Sequence, residues 1–160
     1  MSKRLIILAP SAGGKSTLMR YLRDNSDLPV FEMDEEVMRA NGNEWPRDND
    51  YKDKVLVPQI VKNILEKPRV VYLASYIPED LLEIARTKGF KVILIAVSVD
   101  ELLKRNNKRI EQENYDDSSP WIEGQLKTYK GLVEKGLVDV SINGEQDIKT
   151  IADEIITLFS

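Results

Sequence analysis

The chain has 160 residues, of which 42% are hydrophobic and 31% charged, with a net charge of −4. That balance suits one globular domain and excludes a disordered polyelectrolyte or a polycation built for nucleic acid, although a local basic cluster can still hold phosphate. Cysteine and histidine are both absent, so disulfides, thiolate zinc sites and thiol nucleophiles are ruled out, and any general base must be Asp, Glu, Lys or Tyr.

No apolar run approaches the ~20 residues that span a bilayer. The basic pair Lys3 and Arg4 does not read as the start of a secretory leader, because the apolar run behind it is short and leads straight into a phosphate motif. A cytoplasmic protein with no membrane partner is the expectation.

The first predicted strand covers 4–9 and is followed by a glycine-bearing segment, 9–17. A helix over 15–23 puts Leu18, Tyr21 and Leu22 on one face. A second strand, 29–33, runs into Asp34, Glu35 and Glu36. A helix over 54–67 carries Pro58 near its start or at a kink, and a third strand covers 69–74. The helix over 78–88 has Pro, Glu and Asp at its start and Gly89 behind it, followed by a strand over 91–97. Helices over 100–113 and 121–135 flank a polar, turn-forming stretch, 112–120; a strand over 138–142 and a helix over 147–159 complete the chain. Strands that are apolar on both faces, alternating with amphipathic helices, predict an α/β fold with a parallel sheet covered on both sides. Ligands in such sheets bind beyond the carboxyl ends of the strands.

The segment after the first strand is Ala9, Pro10, Ser11, Ala12, Gly13, Gly14, Lys15, Ser16, Thr17. Gly14, Lys15 and Ser16 fit the phosphate-loop (Walker A) pattern G-x-x-x-x-G-K-[ST], while Ala9 stands in place of its first glycine. Glycines let backbone N–H groups crowd around phosphate oxygens, and the following helix adds its positive end. Ala12, Gly13, Gly14 and Lys15 are the expected phosphate ligands, Lys15 reaching the β- and γ-phosphates of ATP. Ser16 is the expected magnesium ligand, and Thr17 a partner for the α-phosphate.

Strand alternation puts Glu32 and Asp34 on one side if the second strand continues that far. Asp34 would then be the base for an acceptor hydroxyl or hold a magnesium-bound water; the other reading makes it the cap of an acidic helix start. Arg105 and Arg109, four apart on one helical face, can bracket a polyphosphate, or else form a solvated face paired with Glu101 and Glu113. The stretch 112–120 reads as the tip of a mobile lid.

These motifs resemble those of the small P-loop kinases, the shikimate, gluconate and adenylate kinase group. The resemblance implies a P-loop NTPase three-layer sandwich, a five-stranded parallel sheet of order 2-3-1-4-5 with a mobile lid. It implies one kinase domain over 1–160, with an acceptor region at about 34–66 and a lid at about 105–122. By the same resemblance the loop binds ATP, Asp34 handles the acceptor, the lid carries Arg105 and Arg109, and Asn143 flanks the adenine. No aspartate ends the third strand; magnesium would rest on Ser16 with Asp34 or Glu32 acting through water, as in the shikimate kinases. Ser75, which stands there instead, either hydrogen-bonds behind the site or simply ends the strand. The run 101–109 also resembles the lid segment of phage-type polynucleotide kinases, in which Arg109 would contact the transferring phosphate.

On the acceptor side, Arg39 and Arg47 would suit an anionic or nucleotide-like acceptor and Trp45 a ring; alternatively Trp45 is a packing corner and Arg47 pairs with Asp48 or Asp50. Trp121 reads as core or lid hinge. The expected activity is an ATP-dependent phosphotransfer to a small molecule. The alternatives are a 5′-hydroxyl polynucleotide kinase, which would need nucleic acid as partner, and a nucleotide-binding switch with no acceptor.

Overall fold

The computed structural model describes residues 2–159. Five parallel strands form one sheet: β1 (Arg4–Leu8), β2 (Val30–Glu32), β3 (Val70–Ala74), β4 (Lys91–Ala96) and β5 (Val140–Asn143), in the order β2-β3-β1-β4-β5. This is the 2-3-1-4-5 order. Leu5, Ile6 and Ile7 of the central strand are 0% exposed, as expected for a strand covered on both faces.

Alternate residues of β1–β4 feed two separate cores, while β5 serves only the second, through Val140 and Ile142. Ile6, Leu8, Val70, Tyr72 and Val92 pack under α2 (Met33–Ala40), α4 (Val57–Leu65) and α5 (Glu79–Thr87). Leu5, Ile7, Val71, Leu73 and Ile93 pack under α1 (Lys15–Asn25), α6 (Val99–Glu113) and α8 (Ile148–Phe159). Helix α7 (Ser119–Glu134) serves both, giving Ile122 to the second core and Tyr129 and Leu132 to the first. Each fully buried aliphatic side chain contributes about 1.5–3 kcal/mol, which is why two layers of helix are needed.

Three local features depart from the sequence reading. β2 stops at Glu32, because that side chain turns back to accept the N–H of Glu35 at 2.9 Å and caps α2. Glu32 and Asp34 therefore straddle a strand–helix junction instead of sharing a strand face. Helical structure begins well before residue 54. Asp48 caps a short helix, α3 (Asn49–Tyr51), which continues through a π-helical turn, Lys52–Leu56, into α4. Pro58 lacks an N–H and its ring crowds the turn before it; the wider turn, with the Val57 N–H reaching Lys52 O, accommodates it. Trp121 is not core: it is 59% exposed, and its neighbour Ile122 takes the buried position. Among the described residues, no helix is long and apolar enough to cross a membrane.

Candidate active site

The chain turns as soon as β1 ends. The Ala9 N–H donates to Ala74 O of β3 at 3.1 Å, and Ala9 is buried with an ordinary negative φ. A methyl group is therefore accommodated where the pattern has glycine. The Gly13 N–H donates to Pro10 O at 2.8 Å, and a Cβ on Gly13 would stand only 2.7 Å from that oxygen. Ala12 and Gly14 have φ of +64° and +86°. Left-handed residues set among right-handed ones turn successive N–H groups to one side and form an anion-binding concavity. Helix α1 opens there with no side-chain cap and no acidic residue in its first turn, so its first N–H groups and its dipole are available to an anion.

Lys15 heads that helix. Its Nζ lies 3.0 Å from Glu32 Oε1 and 3.5 Å from Asp34 Oδ2. Glu32 is only 3% exposed, and its contact with Lys15 is ionic without the angle of a hydrogen bond; Asp34 is half-exposed. Behind them, Tyr72 is fully buried, and its hydroxyl has no hydrogen-bond partner among the described residues. Burial, aided by the charges of Glu32, Glu36 and Asp34, pushes its ionisation well above the usual range, so it stays neutral.

The opposite wall comes from α6 and the segment after it. Arg105 Nε bonds Glu101 Oε1 at 3.1 Å, and its Nη2 donates to Gly144 O at 3.0 Å. The Arg109 guanidinium lies 4.3 Å from the centre of the Tyr115 ring. Asn106, 2% exposed, ties segment 114–118 to α6: its Nδ2 donates to Asp117 Oδ1 at 2.8 Å, and its Oδ1 accepts the Ser118 N–H at 2.9 Å. The Asn106 bond, with the Ser119 N–H, holds the Asp117 carboxyl below its ordinary range.

These walls enclose a cavity of about 510 Å³ that Ala12, Gly13, Gly14, Lys15, Ser16, Thr17, Asp34, Arg105 and Arg109 all line. Other predicted residues lie elsewhere. Asn143 is absent from the lining; its Oδ1 accepts the Glu145 N–H at 2.9 Å and closes the turn after β5, while Gly144 and Gln146 face the cavity. Arg39 pairs with Glu36 at 3.0 Å on the surface. Trp45 is 45% exposed, with Lys52 Nζ 5.4 Å from its ring centre, and Arg47 is exposed. Ser75 bonds through its carbonyl, which accepts the Tyr129 hydroxyl at 2.5 Å.

Sequence reading missed Lys108 and Tyr115, which line the cavity beside the two arginines. The basic run of α6 contained the signal for Lys108. It also missed Gln125, whose side chain bonds Ser11 from 114 residues away; no local pattern announces such a pair.

The loop, the open helix end and Lys15 fit a polyphosphate, and the cavity is large enough to take more than one phosphate group. Among the described residues no group of three or more acidic side chains could hold a metal alone. A magnesium ion here would rest on the Ser16 hydroxyl, phosphate oxygens and water held by the Asp34 carboxylate, a donor set of the kind that ion favours.

Together the fold and loop define a P-loop phosphotransferase. No protein-family model matches the chain. It is 31% identical over 112 residues to the shikimate kinase of Rhodococcus jostii (strain RHA1), covering 66% of each chain. It is 24% identical to the shikimate kinase of Shewanella sediminis (strain HAW-EB3) over 96% of its own length and 95% of that protein. Among solved structures, its fold matches the shikimate kinase of Acinetobacter baumannii in complex with shikimate (TM-score 0.73, 15% identity, 99% and 93% covered). It likewise matches a gluconokinase of Sinorhizobium meliloti 1021 (TM-score 0.66, 16% identity, 96% and 89% covered). The chain belongs to the small P-loop kinases of the shikimate and gluconate kinase group, and is an ATP-dependent kinase.

Proposed function

We propose that the protein moves the γ-phosphoryl group of ATP to a hydroxyl of a small, hydroxylated and acidic acceptor of the shikimate type. One observation carries this reading: the half-exposed carboxylate of Asp34 stands 3.5 Å from the phosphate-loop lysine, in the same cavity. The sequence likeness to two shikimate kinases supports the choice of acceptor class.

In this reading the whole chain is one kinase domain, with the acceptor region at about 34–66 and the lid at about 105–122. Ala12, Gly14 and Thr17 offer backbone N–H groups to phosphate oxygens, Gly13 closes the loop on Pro10 O so that they point inward, and Lys15 holds the β- and γ-phosphates. Ser16 is the protein ligand for magnesium, with Asp34 acting through water; the ion supplies charge neutralisation on the phosphates. Asp34 orients the acceptor hydroxyl and takes its proton as the oxygen–phosphorus bond forms and ADP departs. Arg105 and Arg109 face the charge that spreads over the transferring group. With little covalent chemistry for the protein to perform, positioning and charge stabilisation supply the rate. Arg39, Trp45 and Arg47 are the side chains of the acceptor region suited to an anionic or ring-bearing molecule.

The test is incubation with γ-labelled ATP and magnesium beside separate pools: shikimate-like acids, sugar acids, nucleosides, nucleotides and 5′-hydroxyl oligonucleotides. Label entering the acid pool, and absent with Lys15→Ala, is the expected result. Label entering only oligonucleotides would replace the acceptor with nucleic acid, and ATP turnover without transfer to any pool would favour a nucleotide switch.

A further inference from the structure

The phosphate loop contains a strained residue and a clasp beside it. Ala12 has a φ of +64°, a left-handed conformation that a residue with a Cβ adopts only under strain. Ser11, its immediate neighbour, is gripped twice by one side chain. The Ser11 N–H donates to Gln125 Oε1 at 2.8 Å, and Gln125 Nε2 donates to Ser11 Oγ at 3.1 Å. Gln125 and Ser11 are both half-buried, so water competes little for these bonds.

The support behind Gln125 is rigid. It sits in α7 between Ile122, buried in one core, and Tyr129, buried in the other. Tyr129 is fixed further by its hydroxyl bond to Ser75 O, at the end of β3. The glutamine therefore projects onto the loop from a helix anchored on both layers of the fold. The same helix begins at Ser119, next to the Ser118 N–H that Asn106 holds.

We infer that Gln125 is a positioning residue: by clasping Ser11 it holds the phosphate loop, strained Ala12 included, in its phosphate-ready shape before nucleotide arrives. A loop with a strained residue relaxes unless its surroundings over-determine it. Here the pattern's first glycine is absent and the loop follows Ala9 and Pro10, so the clasp supplies a constraint from outside the loop. Gln125 is absent from the cavity lining, so it acts on the site through Ser11, which lines it. The inference rests on the reading of the cavity as a nucleotide site, and the experiment separates the two.

Mg·ATP binding is measured by titration calorimetry, and melting of the nucleotide-free protein by calorimetric scan, for the native chain, Gln125→Leu, Ser11→Ala and Ala12→Gly. Losing both bonds in Gln125→Leu weakens Mg·ATP binding by about tenfold, with the melting temperature of the nucleotide-free protein within about 2 °C of native. Ser11→Ala keeps the N–H bond and loses the hydroxyl contact, so it weakens binding by a smaller factor, about threefold. That variant carries the test if Gln125→Leu fails to fold. Introducing Ala12→Gly, which removes the strain, shrinks the penalty of Gln125→Leu. Native-like affinity in both Gln125→Leu and Ser11→Ala would overturn the inference. So would a weakened affinity matched by a large fall in melting temperature, which marks a merely structural contact. Failure of the native chain to bind Mg·ATP would instead refute the nucleotide site itself.

Discussion

The phosphate loop and the region proposed to take the acceptor, 34–66, are built on different physics. The loop is a backbone object: the Gly13 contact with Pro10, the positive φ at Ala12 and Gly14 and the open start of α1 are all set within nine consecutive residues. The proposed acceptor region offers only side-chain ends: Arg39 of α2 pairs with Glu36, and Trp45, in the loop before α3, lies half in solvent. A backbone constraint leaves a short, readable signature, whereas side-chain ends take positions that depend on partners far along the chain. The two regions meet at Lys15, which belongs to the loop but is held by Glu32 and Asp34.

That meeting point gives the largest expected combined loss of transfer and stability. Lys15→Ala should lower phosphoryl transfer by about 10²–10³-fold, since a preorganised charge is lost where charge develops. The same change strands the buried Glu32 carboxylate, and breaking a buried pair costs about 3–5 kcal/mol of stability. Adding Glu32→Gln, which keeps an acceptor for the Glu35 N–H, should restore much of the melting temperature and none of the transfer. Recovery of transfer would detach Lys15 from the chemistry.

Gly13→Ala should come next. Its methyl would have to displace the Pro10 carbonyl from 2.7 Å, and the loop must open to accept it. We expect Mg·ATP binding to weaken by more than about tenfold, as a displaced set of N–H groups loses more than one bond worth about 1 kcal/mol. Native-like binding would show that the tight turn is not what shapes the site.

A smaller effect is expected at Asn106. Asn106→Ala removes two bonds that hold Asp117 and Ser118, and should cost about 1–3 kcal/mol of stability. Faster amide exchange confined to 114–118 would tie that cost to the loop; exchange spread over the sheet would not.

The smallest effect belongs to the surface. Arg23 holds Glu35 in two hydrogen bonds, at 2.8 and 3.0 Å, and these hold the Glu35 carboxyl below its ordinary range. A depressed carboxyl stabilises above its unfolded pKa, and that contribution is lost as pH falls through the folded value. Both side chains are more than a third exposed, so solvent screening limits the pair to about 0–1 kcal/mol. Arg23→Ala should therefore lower the melting temperature slightly at neutral pH and not at pH 2. A loss that persists in acid would point to the Arg23 bond with Val30 O instead.

Much of the fold was legible because period and punctuation agree: all five strands, the helix after the loop and the Gly89 stop lie where the sequence places them. The ends of elements were less so. Glu32 reads as a strand residue by alternation, and only its side-chain bond to the Glu35 N–H reveals it as a cap. Pro58 announced a disturbed helix, but not that a π-helical turn would absorb it. In the site, the loop could be read from its pattern; the spacing of Arg105 and Arg109 left two readings open, and Arg105 both lines the cavity and makes the Glu101 pair that the second reading expected. The Gln125 clasp could not be read, since a polar residue on an amphipathic helix carries no mark of what it will touch.

The most direct test of the account is a comparison at Asp34. Native protein and Asp34→Asn are given saturating Mg·ATP and shikimate-like acids, and both nucleotide affinity and transfer of label are followed. Asparagine keeps the size and loses the base, so the account predicts Mg·ATP affinity close to native and transfer reduced by about 10²–10⁴-fold. Equal transfer by the two proteins would contradict it, and would remove Asp34 from the chemistry.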